Sequence, residues 1–382
     1  MSDHDQKVEF GWFIPTFGDG KYLGVPPQRK ADLAFIIELA QTVEQAGFEF
    51  TLIPTGVDVW PVASAIISHT KKLKPLAALR PGLIEPVQAA RMAASLDYLS
   101  EGRARINIVS GSHEEDLLAL GDPLAHDHDG RYERADEFLH IVKSVWAQSK
   151  DFPNIKEKMY FEGKYYRING GVSYPAPVQD HPPLYFGGSS PAGKRVASKY
   201  ADVYLMWAEP LAMIKEQIDD LEKLRREYEE TSGEPRKIDY GLRAQVLVRD
   251  TEEEAWEAAW EIISKVDPGV AEASRAALNN IKTTNQSRQN EIFESAKDND
   301  YIVGPNLWAG ISLVRSGGAL MFVGTPDQVT DRLLEYVDLG ISSFVLSSYP
   351  HLEEAKIFGE KAIGLFYEKY EKRKQQLEVV QS

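Results

Sequence analysis

The chain has no cysteine in its 382 residues. That absence excludes disulfides, thiolate-held zinc, cysteine-ligated iron–sulfur clusters and a cysteine nucleophile. It suits a reducing, cytoplasmic setting. No run approaches the roughly 18–20 apolar residues of a membrane-spanning helix. The opening stretch, Met1–Lys7, is polar and lacks the apolar core of a secretory signal. Positive charge is also scarce: 43 Lys and Arg against 58 Asp and Glu leave a formal net charge of −15. Neither nucleic acid nor an anionic membrane is therefore expected as a general partner. Several signatures are missing as well: the G-x-x-x-x-G-K-[ST] phosphate loop, a G-x-G-x-x-G after the first strand, and the G-x-S-x-G nucleophile elbow. Paired acids of the glycosidase kind are not evident either.

What the chain does have is an alternation of short apolar runs with helical patterns. Val8–Ile14, Phe50–Pro54, Leu73–Ala78, Arg105–Val109, Leu184–Phe186, Val203–Met206, Tyr240–Val248 and Phe344–Leu346 read as strands. Between them, Asp32–Gly47, Trp60–Thr70, Pro86–Ser100, Leu211–Glu229, Glu252–Ser264 and Asp327–Leu339 carry helical spacing. Such an alternation predicts an α/β fold, a (β/α)8 TIM barrel forming one domain over residues 1–382. A doubly wound open sheet is the alternative, and the missing glycine fingerprint counts against its dinucleotide-binding form. Two stretches exceed a minimal barrel. Residues 149–173, with Tyr160, Phe161, Tyr165 and Tyr166 about Gly163, read as an inserted hairpin. Residues 266–304 are polar and Asn/Gln-rich, and read as a mobile lid.

In a barrel, chemistry is built from residues just past the strand C-termini. Those positions hold Pro15, Thr16, Phe17 and Asp19; Thr55 and Gly56; Arg80; Ser110, Gly111 and Ser112; Gly187, Gly188, Ser189 and Ser190; Trp207 and Glu209; and Ser347, Ser348, Tyr349 and His351. Arg243 and Gln245, two apart, share one face of the seventh strand. The set is rich in hydroxyls, tight turns and arginine, and suits a flat anionic cofactor with a small anionic substrate.

Gly187-Gly188-Ser189-Ser190 joins a strand to a helical stretch. It reads either as a phosphate cradle or as a turn with Ser190 capping the helix. Arg243, inside an apolar strand, is costly unless it meets an anion or a polar cavity. Arg80 reads equally as a surface ion pair, and Trp207 as core. His126-Asp127-His128-Asp129 has alternating histidines but no second ligand cluster, so no metal site is expected. Tyr132, just beyond, offers a phenol to a nearby phosphate. Asn306–Gly318 reads as a helix packed on the barrel and ending at Gly317, or as a lid carrying Arg315 to an anion.

Trp12-Phe-Ile-Pro-Thr16 with Gly18-Asp-Gly20, Leu52-Ile-Pro-Thr-Gly56, Ala78-Leu-Arg-Pro-Gly82, Tyr185-Phe-Gly-Gly-Ser-Ser190, Asn306-Leu-Trp-Ala-Gly310 and Tyr349-Pro-His-Leu-Glu-Glu-Ala355 occur in this order from Phe10 to the last helix. Together they resemble the FMNH2-dependent alkanesulfonate monooxygenases of the bacterial luciferase-like flavoproteins. The resemblance implies reduced FMN supplied by a separate NAD(P)H-dependent flavin reductase. It also implies O2 as co-substrate, and release of sulfite and an aldehyde from an organosulfonate by a homodimer or homotetramer. By the same resemblance, the FMN phosphate falls on Ser189 and Ser190 with Gly188, Tyr132 and His128 near, and Ser110 and Gly111 border the flavin ring. Trp207, Arg243, Arg315, Tyr349 and His351 then line the reacting site, with Phe17, Thr55, Arg80 and Gln245 about the substrate.

The chain departs from that family's usual pattern at three places. Phe17 stands where histidine is usual, the Thr55-Gly56 segment has no cysteine, and Gln245 stands in place of a histidine. These departures point to a different sulfonate, such as a hydroxylated sulfosugar, with Gln245 bonding a hydroxyl. A luciferase-like monooxygenase acting on a sulfone or other non-sulfonate, an F420-dependent dehydrogenase, and a binding protein without turnover are the alternatives.

Overall fold

The computed structural model describes residues 7–111 and 114–381. Ser112 and His113 lie outside the described residues, as does all but the last residue of the Met1–Lys7 stretch. The fold is α/β, a (β/α)8 TIM barrel with extra strands. In chain order the strands are β1 (Glu9–Phe13), β2 (Phe50–Ile53), β3 (Lys74–Leu79), β4 (Arg105–Ile108), β5 (Met159–Glu162), β6 (Arg167–Gly171), β7 (Leu184–Phe186), β8 (Val203–Trp207), β9 (Asp239–Val248), β10 (Ile302–Gly304), β11 (Leu307–Trp308), β12 (Met321–Gly324) and β13 (Ile341–Ser347). Every residue of β2, β7, β12 and β13 is buried. That is the burial expected of parallel strands covered on both faces. Among the described residues, no helix is long and apolar enough to cross a membrane.

The chain divides into two compact units. The first holds the described residues to Thr51, Met206–Gln217, and the chain from Asp239 onward. Here β1 pairs in parallel with β13, and β9 pairs in parallel with both β13 and β12. Aromatic packing fixes β1: the Phe10 ring lies 5.5 Å from Phe344 and 4.8 Å from Phe366, and Trp12 lies 5.1 Å from Phe48. Asp32 caps the helix Leu33–Gln45 by accepting the Phe35 N–H. Thr325 and Gln328 form a reciprocal capping box, with Pro326 at the first turn of Pro326–Asp338.

One stretch of this unit differs from the sequence expectation, and the form of a second is now visible. Asn306–Gly318 is not an α-helix. β11 sits between β10 and β12 as an antiparallel strand, and a 3-10 turn, Gly310–Leu313, follows. Residues 266–304 fold mainly into two helices, Pro268–Asn280 and Thr284–Ser295.

The second unit holds Leu52–Leu205 and Ile218–Ile238. β3, β4, β7 and β8 pair in parallel in that order. β5 and β6 pair antiparallel as a separate hairpin within the inserted stretch. Asp97, fully buried, accepts from the backbone of Val178 and Gln179 and from the Gln179 amide. It thereby ties the chain ahead of β7 to the helix Pro86–Leu99.

Candidate active site

In the second unit, β7 ends in the Gly187-Gly188-Ser189-Ser190 turn, and Pro191–Tyr200 is the helix that follows. Ser190 caps that helix by accepting the Gly193 N–H at 3.1 Å. Its hydroxyl also meets the Tyr132 phenol. Burial pushes the Tyr132 phenol up, against the smaller opposing effects of Ser190 and Arg131, so it stays a neutral donor. The turn and the phenol are closely fitted. A Cβ at Gly188 would stand 2.9 Å from the Tyr132 oxygen, and the Gly188 carbonyl accepts from Tyr204 at 2.9 Å. The hydroxyls of Ser189 and Ser110 are buried without a hydrogen-bond partner among the described residues.

Buried orphan hydroxyls are costly unless a ligand meets them. Here they stand with a helix N-terminus and a phenol, a donor set that fits a phosphate. The two readings of this turn are compatible, since the Ser190 hydroxyl caps while Ser189 stays free. His128 opens the helix His128–Gln148; it is half exposed, bonds Asp129 at 2.7 Å, and its ring lies 5.0 Å from Tyr132. Arg131 donates to the Ser110 carbonyl at 3.3 Å, which positions the Ser110-Gly111 turn.

Arg80 donates to Asp116 at 2.5 Å and to the Thr55 hydroxyl at 3.0 Å. The structure thus brings Thr55 and Arg80 together, but with the Arg80 charge already paired. Among the described residues, no three acids, histidines or cysteines are grouped to hold a metal. His126 and His128 engage separate carboxylates, Glu114 and Asp129.

The first unit places Arg243, Arg315, Tyr349 and His351 together, with Asp19 added. Arg243 rises from β9 and is 4 % exposed. Its guanidinium donates to the Ala244 carbonyl at 2.5 Å, the Val345 carbonyl at 3.3 Å and the Ser347 hydroxyl at 2.7 Å. It also lies 4.8 Å from the Phe13 ring centre. Among the described residues no carboxylate bonds it; burial, with the Arg315 cation beside it, pushes Arg243 down to about 9, leaving it charged at neutral pH. Arg315 donates to the Tyr349 phenol and to the Ser316 carbonyl. Trp207, at the end of β8, is half-buried, with its ring edge at Gly317.

Gln245 takes a different place from the one expected. It is fully buried; its carbonyl accepts from Ser347 at 2.6 Å and its amide donates to the Gly318 carbonyl at 3.0 Å. Arginine can only donate, so Ser347 accepts from Arg243 and passes its own proton to Gln245. Gln245 is therefore a support behind Arg243. One amide N–H and one carbonyl lone pair are engaged in this bonding. Phe17 is 78 % exposed. Its loop buries Thr16 and Asp19 instead, drawn in by bonds from Asp19 to the next residue of interest.

That residue is His351. The His351 Nδ1 and backbone N–H both donate to Asp19 Oδ1 at 2.9 Å. Burial pushes the Asp19 carboxyl up, but the His351 bonds and charge outweigh it and hold it below its usual range. Burial, then the Arg315 and Arg243 cations, push the imidazole down against the pull of Asp19. The histidine is thus neutral, with its proton on Nδ1 and a bare Nε2 that has no partner. The sequence placed Asp19 at the strand end, but nothing in it signalled this pairing.

Glu209, past β8, is nearly fully buried and holds Arg288 of Thr284–Ser295 at 2.8 Å, along with Gln217 at 2.8 Å. It anchors the 266–304 stretch and is not a free acid.

One unit thus sets the buried Arg243 beside the half-buried Arg315, and the other sets orphan hydroxyls at a helix start, within an α/β barrel. Residues 8–343 match the luciferase-like monooxygenase family, and the chain belongs to that family. Its fold is similar to that of a riboflavin lyase solved with modified FMN and riboflavin (23 % identity, 95 % of this chain and 92 % of that one, TM-score 0.76). It is likewise similar to a long-chain alkane monooxygenase (22 % identity, 95 % and 92 %, TM-score 0.74). The EDTA monooxygenase of a Chelativorans species is a third such structure (21 % identity, 95 % and 94 %, TM-score 0.77).

Proposed function

We propose that this protein is a two-component, FMNH2-dependent monooxygenase that uses O2 to cleave the C–S bond of an organosulfonate, yielding sulfite and an aldehyde. The observation that carries this reading is Arg243: a buried guanidinium with no carboxylate neighbour, next to a second arginine, Arg315. A buried unpaired cation is costly, and the two together are repulsive. A sulfonate supplies the missing charge and several acceptor oxygens for their donors. Family membership supports the oxygenase chemistry.

In the second unit, Ser189, Ser190, Ser110 and Tyr132 would hold the phosphate end of FMN. Bound reduced flavin would supply the electrons that activate O2. A separate NAD(P)H-dependent flavin reductase would deliver it, and a homodimer or homotetramer in the cytoplasm is the expected setting. In the first unit, Trp207 would wall the substrate. Gln245 and Ser347 keep the Arg243 fork aimed, so a substrate hydroxyl, as on a sulfosugar, would fall to Tyr349 or to the buried, partnerless Thr16 hydroxyl.

The test is sulfite release from a panel of alkyl and hydroxylated sulfonates, with matched carboxylates as controls, in the presence of FMN, NADH and a flavin reductase. Sulfite from at least one sulfonate is expected, dependent on both flavin and oxygen. Its absence from all of them, or oxidation of the carboxylates alone, would overturn the sulfonate reading.

A further inference from the structure

The Asp19–His351 pair has a chemistry of its own. His351 side-chain exposure is 4 % and that of Asp19 is 0 %. The carboxylate accepts, so Nδ1 carries the proton and the lone pair is on Nε2, across the ring from Asp19. A base of this kind is oriented as well as unencumbered. The groups about it are defined. Asp19 and Arg29 lie on the loop after β1, with Arg29 paired to Glu353 at 2.5 Å. Arg243 is on β9, and Arg315 follows the 3-10 turn. Tyr349, after β13, has its ring 5.0 Å from the imidazole. Among the described residues, Asp19 is the carboxylate bonded to the imidazole, and Arg315 and Arg243, assigned above to the sulfonate, are the cations that act on it.

We propose that His351, oriented by Asp19, catalyses the redox-neutral collapse of an α-hydroxysulfonate into an aldehyde and sulfite, and that the chain does this without flavin. This rests on the sulfonate reading of the arginine pair. His351 Nε2 takes the hydroxyl proton. The O–H electron pair forms the C=O bond, and the C–S bond breaks with its electrons leaving on sulfur. The headgroup charge goes from −1 in the sulfonate to −2 in sulfite. Arg243 and Arg315 therefore hold the transition state more tightly than the ground state. Asp19 stabilises the imidazolium until the proton passes to solvent. No oxidant enters, and atoms and charge balance.

The test uses the full chain freed of flavin, with hydroxymethanesulfonate as the probe and sulfite release as the readout across pH. The wild type is expected to speed breakdown with saturation, and His351→Asn, which keeps a donor for Asp19 but removes Nε2, to lose about 100-fold of that rate. Because the Asp19 charge raises the imidazole pKa, Asp19→Asn is expected to move the inflection of the pH–rate profile to lower pH. A purely structural role for Asp19 would not move it, and this variant decides the matter if His351→Asn does not fold.

No acceleration by the wild type, full rate in His351→Asn, or an unmoved inflection in Asp19→Asn would overturn the proposal. If FMNH2-dependent sulfite release persists in that case, this inference alone fails. If neither activity exists, the sulfonate reading fails with it.

Discussion

Arg243 costs the folded protein something at rest. It lies in a strand of otherwise apolar burial, bonded to two carbonyls and a hydroxyl but to no carboxylate. A replacement of similar volume without charge relieves that cost. Arg243→Met is expected to stabilise the ligand-free protein by about 1–4 kcal/mol while abolishing sulfonate binding. Thermal unfolding in anion-free buffer checks this; a lower midpoint would show that the guanidinium is held for stability.

This residue was legible because a charge inside an apolar run asks for an explanation. Its supports were not. Strand spacing puts Arg243 and Gln245 on one face, but cannot tell that the Gln245 amide bonds Ser347 and the Gly318 carbonyl. Asp19 was hidden further still. Its partner is 332 positions away, and no local pattern announces a bond of that separation.

Among the elements, the helix Thr284–Ser295 is held by a buried ion pair whose acid lies at the end of another strand. Arg288 grips Glu209 at 2.8 Å through two nitrogens, the Gln289 amide donates to the Ala208 carbonyl at 3.0 Å, and the Gln286 carbonyl accepts from Gly317. The Arg315 segment is thus backed by this helix. Arg288→Ala leaves Glu209 buried and unpaired, which typically costs about 3–5 kcal/mol. Faster amide exchange confined to residues 284–295 and 310–318, with weaker sulfonate binding, is expected; unchanged exchange there would separate the helix from the site.

The polar, Asn/Gln-rich composition of this stretch hid its two helices. Their anchors are single residues, Arg288 and Arg275, reaching Glu209 and the Ser312 carbonyl. β11 was hidden for another reason. It is two residues long, and its bonds run to β10 and β12, outside the 306–318 window that suggested a helix.

Across the whole chain, the eight-fold alternation was readable because strand and helix periods differ and each parallel strand is buried on both faces. The pH response belongs to this scale. His351 lies below its ordinary 6.5 in the fold. Between that folded value and 6.5 the unfolded chain binds more protons, so stability rises with pH through this window and is lost as pH falls through it. Asp19, Asp122 and Asp202 lie below their ordinary 3.8, and their contribution is lost further down, as pH falls below that value. In a plot of unfolding midpoint against pH these groups are expected to give two descending steps on acidification, opposed between them by Glu49, Glu354 and Asp338, which lie above their ordinary values. His351→Asn should remove the upper step and weaken the Asp19 share of the lower, leaving those of Asp122 and Asp202. An unchanged upper step would assign it to another group.

On the proposed function, a sulfonate supplies the charge missing beside Arg243 and Arg315. The most direct test is sulfite release from the best sulfonate of the panel, with reductase, FMN and oxygen, measured for the wild type and Arg243→Met at equal flavin occupancy. The account expects sulfite in step with oxygen uptake in the wild type and at least about a 100-fold lower kcat/KM in the variant, on the scale of losing a buried charge-assisted contact. Equal sulfite release from the two proteins, or oxygen uptake by the wild type with no sulfite, would contradict it.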